Sequence, residues 1–404
     1  MSKMTSAAAI EIARNFAGEL KKTSARLDAA FEYPHAEMQA LKQCGLGLAP
    51  VPAQYGGWGM GYTDMVEIIR LLGTGNMSIS QLYSTSHTIC IQEFNALLPP
   101  ATAERILSRI GKEKLLIGNA TAERNAKDAM SFQTIFTPTP DGKGVLVNGE
   151  KFFCTGSPSA DLLYMLGICE GGFAMLLLDP KSPGVDMLGD WRAMGQRGTG
   201  SGTIRFKDVY VANEFVSRDI VRFDAPNVYN IFAPINQGYM SAIVLGAARA
   251  AFDAAIEYIN TYTRPWPFTG VTKGAEDPYI LIKAGELAAL LGAAEAQLRD
   301  MCTYVEAAIK ARATGADQAT MAASRALAMT KVAETKIFST DVSLKVSSDI
   351  FQMCGARAST SEYDLDRFWR DIRTFTLHDP VTYKARAVGE YYVLGQHPYP
   401  TFFG

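Results

Sequence analysis

The chain has 404 residues, 48% hydrophobic and 20% charged, with a formal net charge of −2. That length allows a sizeable core and two or three domains, and the composition is that of a globular protein. The near-neutral balance, with Lys and Arg spread along the chain, excludes a bulk electrostatic drive toward nucleic acid or an acidic membrane surface.

The six cysteines form no Cys-x-x-Cys pair, and the four histidines (His35, His87, His378 and His397) are dispersed. No metal site and a reducing, cytoplasmic compartment are therefore expected. No apolar run is expected to be long enough to span a bilayer, and the first residues lack the apolar centre of a signal peptide.

Helical periodicity broken by Gly and Pro runs from about Thr5 to Ile117. Residues 7–23 and 34–44 read as helices, and the Pro- and Gly-rich stretch 48–61 as a sharply turning loop. Helix resumes over 64–72, 78–94 and 101–111. The second of these carries a polar stripe of Gln81, Ser84, Thr85, His87 and Thr88.

The texture changes at Leu115. Residues 116–121, 133–137, 144–147, 152–155, 162–168, 173–178 and 202–211 read as short strands. Turn signals such as Pro140-Asp-Gly, Asn148-Gly149 and Gly171-Gly172 separate several of them, a pattern of an antiparallel barrel or sandwich. Asn148-Gly149 predicts a hairpin turn, with 151–155 as the strand after it. In that strand an aromatic ring, Phe153, precedes a hydroxyl, Thr155, and an unobstructed glycine, Gly156. Such a run suits the face and edge of a planar heterocycle.

From about Val228 the chain is helical again. Residues 237–262 are apolar on most faces, as in a central bundle helix. Pro265 and Pro267 force a loop over 263–270. Residues 278–314 and 317–353 predict two long antiparallel helices, the second stopped by Gly355. Asp379-Pro380 reads as the cap and first-turn proline of a last helix over 380–393. The domains expected are 1–116, 117–227 and 228–404.

Five motifs in this order resemble the acyl-CoA dehydrogenase-fold flavoproteins over nearly the whole chain. They are Pro52-Ala-Gln-Tyr-Gly-Gly57, the loop 122–128, Lys151-Phe-Phe-Cys-Thr155, the run from Met194-Gly-Gln-Arg-Gly-Thr199 to Val211, and Arg367-Phe-Trp-Arg-Asp-Ile-Arg373. The resemblance implies an α+β multidomain protein with an N-terminal helical domain, a central antiparallel β-barrel and a C-terminal four-helix bundle. Dehydrogenases of the family use a carboxylate base, in many members a Glu after the Arg-Asp signature. Here Asp379 aligns with it, one methylene shorter and followed by Pro380, and is assigned to helix capping.

Residues 377–381, with 263–266 and 354–357, instead resemble the flavin-dependent monooxygenases of this fold, the dibenzothiophene monooxygenases and sulfur-acquisition oxidoreductases among them. That branch implies a two-component enzyme using O2 and reduced FMN supplied by a separate NAD(P)H flavin reductase. It implies a C4a-hydroperoxyflavin, a small aromatic, heteroaromatic or organosulfur substrate, and a homotetramer. An FAD-dependent acyl-CoA dehydrogenase is the alternative.

On this resemblance Thr155 meets the flavin N5/O4 edge and Phe153 packs by the ring. Asn119 donates to the flavin or the peroxide, and His378 is the proton donor, its ordinary pKa of about 6.5 suiting exchange near neutrality. Arg264 and Arg357, with Ser359 or Ser361, hold the phosphate. Gln81 and Thr85, four apart on one helix face, and Tyr83 are the substrate-side candidates, with His87 off that face.

Overall fold

The computed structural model describes residues 4–98, 100–127, 131–218 and 227–401; Asp128, at the end of the 122–128 motif, lies outside them. The N-terminal lobe is helical: Ser6–Ala30 (α1), His35–Cys44 (α2), Tyr62–Gly75 (α3), Met77–Gln81 (α4), Ile89–Leu97 (α5) and Pro100–Glu113 (α6). Thr5 caps α1 by accepting the Ala8 amide, and Asn76 caps α4 by accepting that of Ile79. The expected single helix over 78–94 is interrupted. Leu82–Thr88 winds as a π-turn segment between α4 and α5, a rare geometry concentrated at functional sites.

Eight strands follow: Ile117–Ala120 (β1), Ile135–Pro138 (β2), Gly144–Lys151 (β3), Leu162–Cys169 (β4), Gly172–Leu178 (β5), Val185–Met187 (β6), Ile204–Ala212 (β7) and Val216–Ser217 (β8). Their order is β6-β7-β3-β2-β4-β5-β8, with β1 beside β4, in a sheet curled as a half-barrel. Most ladders are antiparallel, while β1 and β2 each run parallel to β4. Alternating residues such as Val145, Val147, Val209 and Val211 face a core of their own, as a pleated sheet with one wet face requires.

Asn148-Gly149 is not a hairpin turn. β3 runs straight through it, and the β3–β7 register shifts between Val147 and Gly149. Gly149 takes φ 150, and a Cβ there would stand 2.7 Å from Thr134 Oγ1. The turn dipeptide is used for a bulge, held by Asn148 and Asp208, which exchange two hydrogen bonds. Residues 152–155, expected as a strand, leave the sheet instead.

The third unit comprises Phe232–Tyr262 (α7), Pro278–Ala313 (α8), Gln318–Cys354 (α9), Asp366–Thr376 (α10) and Val381–Leu394 (α11). Asp277 and Asp317 cap α8 and α9, and Gly355, at φ 79, ends α9. By length and composition α7 could cross a bilayer, contrary to the expectation that no run could, but 72% of its apolar window is buried inside the protein. It crosses α3 at Gly246, where a Cβ would meet the Arg70 carbonyl at 2.2 Å.

α10, not among the expected helices although Phe368, Ile372 and Phe375 recur at helical spacing and lie buried, is clamped to the rest of the molecule by charge. Arg370 reaches Asp28 on α1 at 2.6 Å, and Asp28 also takes Arg197 at 3.2 Å. The Asp371 carboxylate accepts the Gln196 amide. These contacts fasten the loop between β6 and β7 to both helical units.

Asp379 is not a cap: Pro380 occupies the N-cap of α11, with no side-chain cap bond. Its carboxylate lies instead 3.1 Å from Lys336 and 3.4 Å from Lys384. Two cations outcompete the exposed amides of a helix end.

Candidate active site

Residues 152–156 cross the gap between β3 and the loop before β7. Their start is anchored by a buried ion pair: Lys151, with no solvent exposure, meets Glu123 Oε1 at 2.6 Å. Glu123 also accepts the Gln133 and Thr134 amides and the Thr134 hydroxyl. Burial alone would raise the Glu123 carboxyl, but Lys151 and these donors outweigh it and hold it below the usual range.

Phe153 sits at φ 57 and is 54% exposed. A positive φ costs a bulky residue about 1–2 kcal/mol, and such strain clusters at functional sites. Its ring lies 4.4 Å from Phe152 and 5.9 Å from Trp191, centroid to centroid. The result is an aromatic wall that the core does not consume.

Thr155 is buried beside it. Its carbonyl accepts the Asn119 amide and the Ser86 hydroxyl, each at 2.9 Å; its own hydroxyl bonds Ser201 Oγ at 2.8 Å. Asn119 Oδ1 is taken by the Thr121 amide and hydroxyl, and its side-chain NH2 has no partner among the described residues. Thr155, Asn119, Phe153 and the π segment are thus brought together, Ser86 being the link that sequence reasoning missed.

On the π segment, Thr85 donates to the Gln81 carbonyl, and Gln81 Oε1 is buried without a partner. Tyr83 is fully buried and donates to the Leu46 carbonyl, a core role. His87 is also structural, bonded to the Gly47 carbonyl and the Ile117 amide. Burial lowers its pKa to about 4, so it stays neutral.

His378 follows α10, its ring exposed in the single chain yet crowded by protein. That crowding and the Lys336 charge hold its pKa below the ordinary value, against Asp379. Lys336 is buried in α9 and also bonds Gln237 Oε1 on α7. Burial brings its pKa down to about 8, partly offset by Asp379. Burial would raise the Asp379 carboxyl, but Lys336 and Lys384 hold it below the usual range. Sequence reasoning missed Lys336, because one lysine among several on a long helix carries no signal.

Arg264 and Arg357 share one pocket of about 870 Å³ at the end of α7 and α9. Arg357 is oriented by the Tyr262 carbonyl at 2.6 Å and the Tyr258 hydroxyl at 3.3 Å. Arg264 is exposed and without a polar partner among the described residues. Thr263 Oγ1, in the same wall, is buried and unpartnered. Ser359 donates to the Ala356 carbonyl, and neither it nor Ser361 lines the pocket. Neither do Phe153, Thr155, Asn119 or His378.

The profiles for the acyl-CoA dehydrogenase N-terminal, middle and C-terminal domains match residues 5–114, 119–209 and 239–383. The chain belongs to the acyl-CoA dehydrogenase family. Within it, this is a flavin-dependent monooxygenase. It is 32% identical to a dibenzothiophene monooxygenase of Rhodococcus qingshengii over 97% of this chain and 95% of that protein. The FMN-bound structure of TdsC from Paenibacillus sp. A11-2 superposes with a TM-score of 0.88 at 30% identity, covering 98% of this chain and 100% of that one. Methanesulfinate monooxygenase MsuC from Pseudomonas fluorescens gives a TM-score of 0.87 at 26% identity, over 98% of this chain and 99% of that one.

Proposed function

We propose that this monooxygenase binds FMN, receives it reduced from a separate reductase, and transfers one atom of O2 to a small organosulfur, aromatic or heteroaromatic compound, working as a homotetramer. The observation that carries the reading is the state of Asp379. A dehydrogenase of this fold needs a carboxylate free to take a proton. Here the aligned carboxylate lies between Lys336 and Lys384 with its pKa held low, which makes it a poor base at neutral pH.

The residues present fit the cofactor at both ends. The strained, exposed Phe153 and the Thr155 and Asn119 polar groups suit the ring. Arg264 and the Thr263 hydroxyl, both without a polar partner among the described residues, and the oriented Arg357 beside them suit a phosphate. Reduced FMN, when bound, supplies the electrons that activate O2. The chain's part is to hold the ring with Phe153 and Thr155, to keep water out with the Phe152–Trp191 wall, and to donate from Asn119. His378, neutral at pH 7, exchanges a proton at its ring nitrogen. Gln81 and Thr85 face the substrate.

The test is to load the protein with FMN, reduce it, and supply 18O2 with dibenzothiophene or methanesulfinate as probes. One labelled oxygen in the product is expected. Desaturation of butyryl-CoA with an artificial electron acceptor, without oxygen incorporation, would overturn the reading.

A further inference from the structure

Thr155 is one end of a chain of hydroxyls whose direction is fixed at the other end. The Gln196 carbonyl cannot donate. Its two lone pairs accept the Thr199 hydroxyl and the Trp191 indole N–H, each at 2.9 Å, with the Thr199 amide a longer, shared contact at 3.2 Å. Thr199 has a single hydroxyl proton, and it is spent there. Ser201 Oγ therefore donates to Thr199 Oγ1, at 2.8 Å. With its one proton used, Ser201 must accept from Thr155, also at 2.8 Å. The Phe153 carbonyl, at 3.4 Å, is the other acceptor for the Thr155 proton; it too can only accept.

All four members are nearly sealed from solvent: Thr199 is 0% exposed, Ser201 and Gln196 2%, Thr155 7%. No bulk water is at hand to reverse the order. Gln196 itself is pinned, in a left-handed conformation at φ 53. Its amide donates to Asp371 and its side-chain oxygen accepts from Ser78.

We propose that this polarised chain presents the Thr155 hydroxyl to a bound flavin as an acceptor only. Thr199 and Ser201 are then positioning residues that favour the reduced ring over the oxidised one. The inference rests on the flavin site proposed above. A reduced isoalloxazine carries a proton on N5 and donates there; an oxidised one offers N5 as a lone pair. To serve the oxidised ring, Thr155 would have to turn its proton away from Ser201, leaving a buried lone pair without its donor. The difference is about one net hydrogen bond, roughly a five-fold preference in affinity.

The test measures binding of oxidised FMN and, under anaerobic conditions, of reduced FMN to the full-length chain and its variants. The readout is the ratio of the two dissociation constants. The unmodified chain should bind reduced FMN more tightly. Thr199→Val and Ser201→Ala each release the Thr155 proton and should lower the ratio roughly five-fold, equivalent to a two-electron midpoint potential about 20 mV more negative. Thr199→Ser keeps the hydroxyl and should keep the ratio, and Thr155→Val should lose the preference.

A merely structural role for Thr199 or Ser201 would weaken both redox forms alike. An unchanged ratio in Thr199→Val and Ser201→Ala, with a changed one in Thr155→Val, would overturn the relay and leave the flavin site standing. An unchanged ratio in all three would overturn the relay and take Thr155 off the ring, and no FMN binding by the unmodified chain would overturn the flavin site as well.

Discussion

Lys336 shows how one buried cation can set the state of a neighbouring group. It is 5% exposed, bonded to Gln237 and paired with Asp379. The charged and titratable groups beside His378 are Lys336 and Asp379, with Lys384 behind them on α11. A cation disfavours a second positive charge, so Lys336 lowers the His378 pKa and Asp379 raises it. Replacing Lys336 with Met removes the lowering partner and keeps the raising one. The His378 pKa should then rise, and the acidic limb of the pH–rate profile should move to higher pH, because the neutral ring is lost sooner on acidification. Histidine NMR titration of both forms measures the shift directly; a limb that stays in place would take His378 out of the rate-limiting protonation. The same change should destabilise the fold by about 2 kcal/mol, since it strips a half-buried carboxylate of its nearer partner while Lys384 stays in place.

At the scale of elements, the long helices were readable because apolar residues repeat every three to four positions over many turns. The expected 7–23, 278–314 and 317–353 became α1, α8 and α9 with only their ends moved. Contacts between residues distant in sequence were not readable. α10 is stabilised by Arg370 reaching Asp28, 342 residues away in sequence, and no local pattern records that. The π segment differs from an α-helix in register alone, and its composition is unremarkable. Thr155 and Phe153 could be picked out, since their residue types and spacing suit a ring. Ser86, Ser201 and Lys336 could not, because each acquires its role only through packing. Asn148-Gly149 has one chemical property, tolerance of positive φ, that serves a turn and a bulge equally well. Which one forms was decided by pairing with β7, outside the local sequence. The bulge makes a sharp prediction. Gly149→Ala would place a methyl group 2.7–2.9 Å from three Thr134 atoms, at a φ that L-residues rarely adopt. A loss of about 2–3 kcal/mol in chemical denaturation is expected; a loss under 0.5 kcal/mol would mean that the strand straightens freely.

At the scale of the whole molecule, the two halves of the proposed flavin site lie on different units. The ring half, Phe153 with Thr155, belongs to the sheet and its loops, whereas the phosphate half, Arg264 with Arg357, lines a pocket that none of the ring-side residues enters. In the lining of that pocket Trp266, Tyr279 and Ile282 are exposed, the first two by more than three quarters (76% and 78%). Bulky apolar side chains exposed together suit a contact with another chain, which the homotetramer proposed above would supply. One flavin per site would then take its ring contacts from one copy and its phosphate contacts from a second. Complementation tests this. Phe153→Ala damages only the ring half, and Arg264→Ala combined with Arg357→Ala damages only the phosphate half. In a hybrid pair with reciprocal sites, one site inherits both intact halves and the other both damaged halves. Random reassembly of an equal mixture makes half of the pairs hybrid, so activity should recover to about a quarter of the unmodified level from two nearly inactive parents. If each flavin lay wholly within one chain, every site in the mixture would carry one damaged half, and mixing would return only the average of the parents.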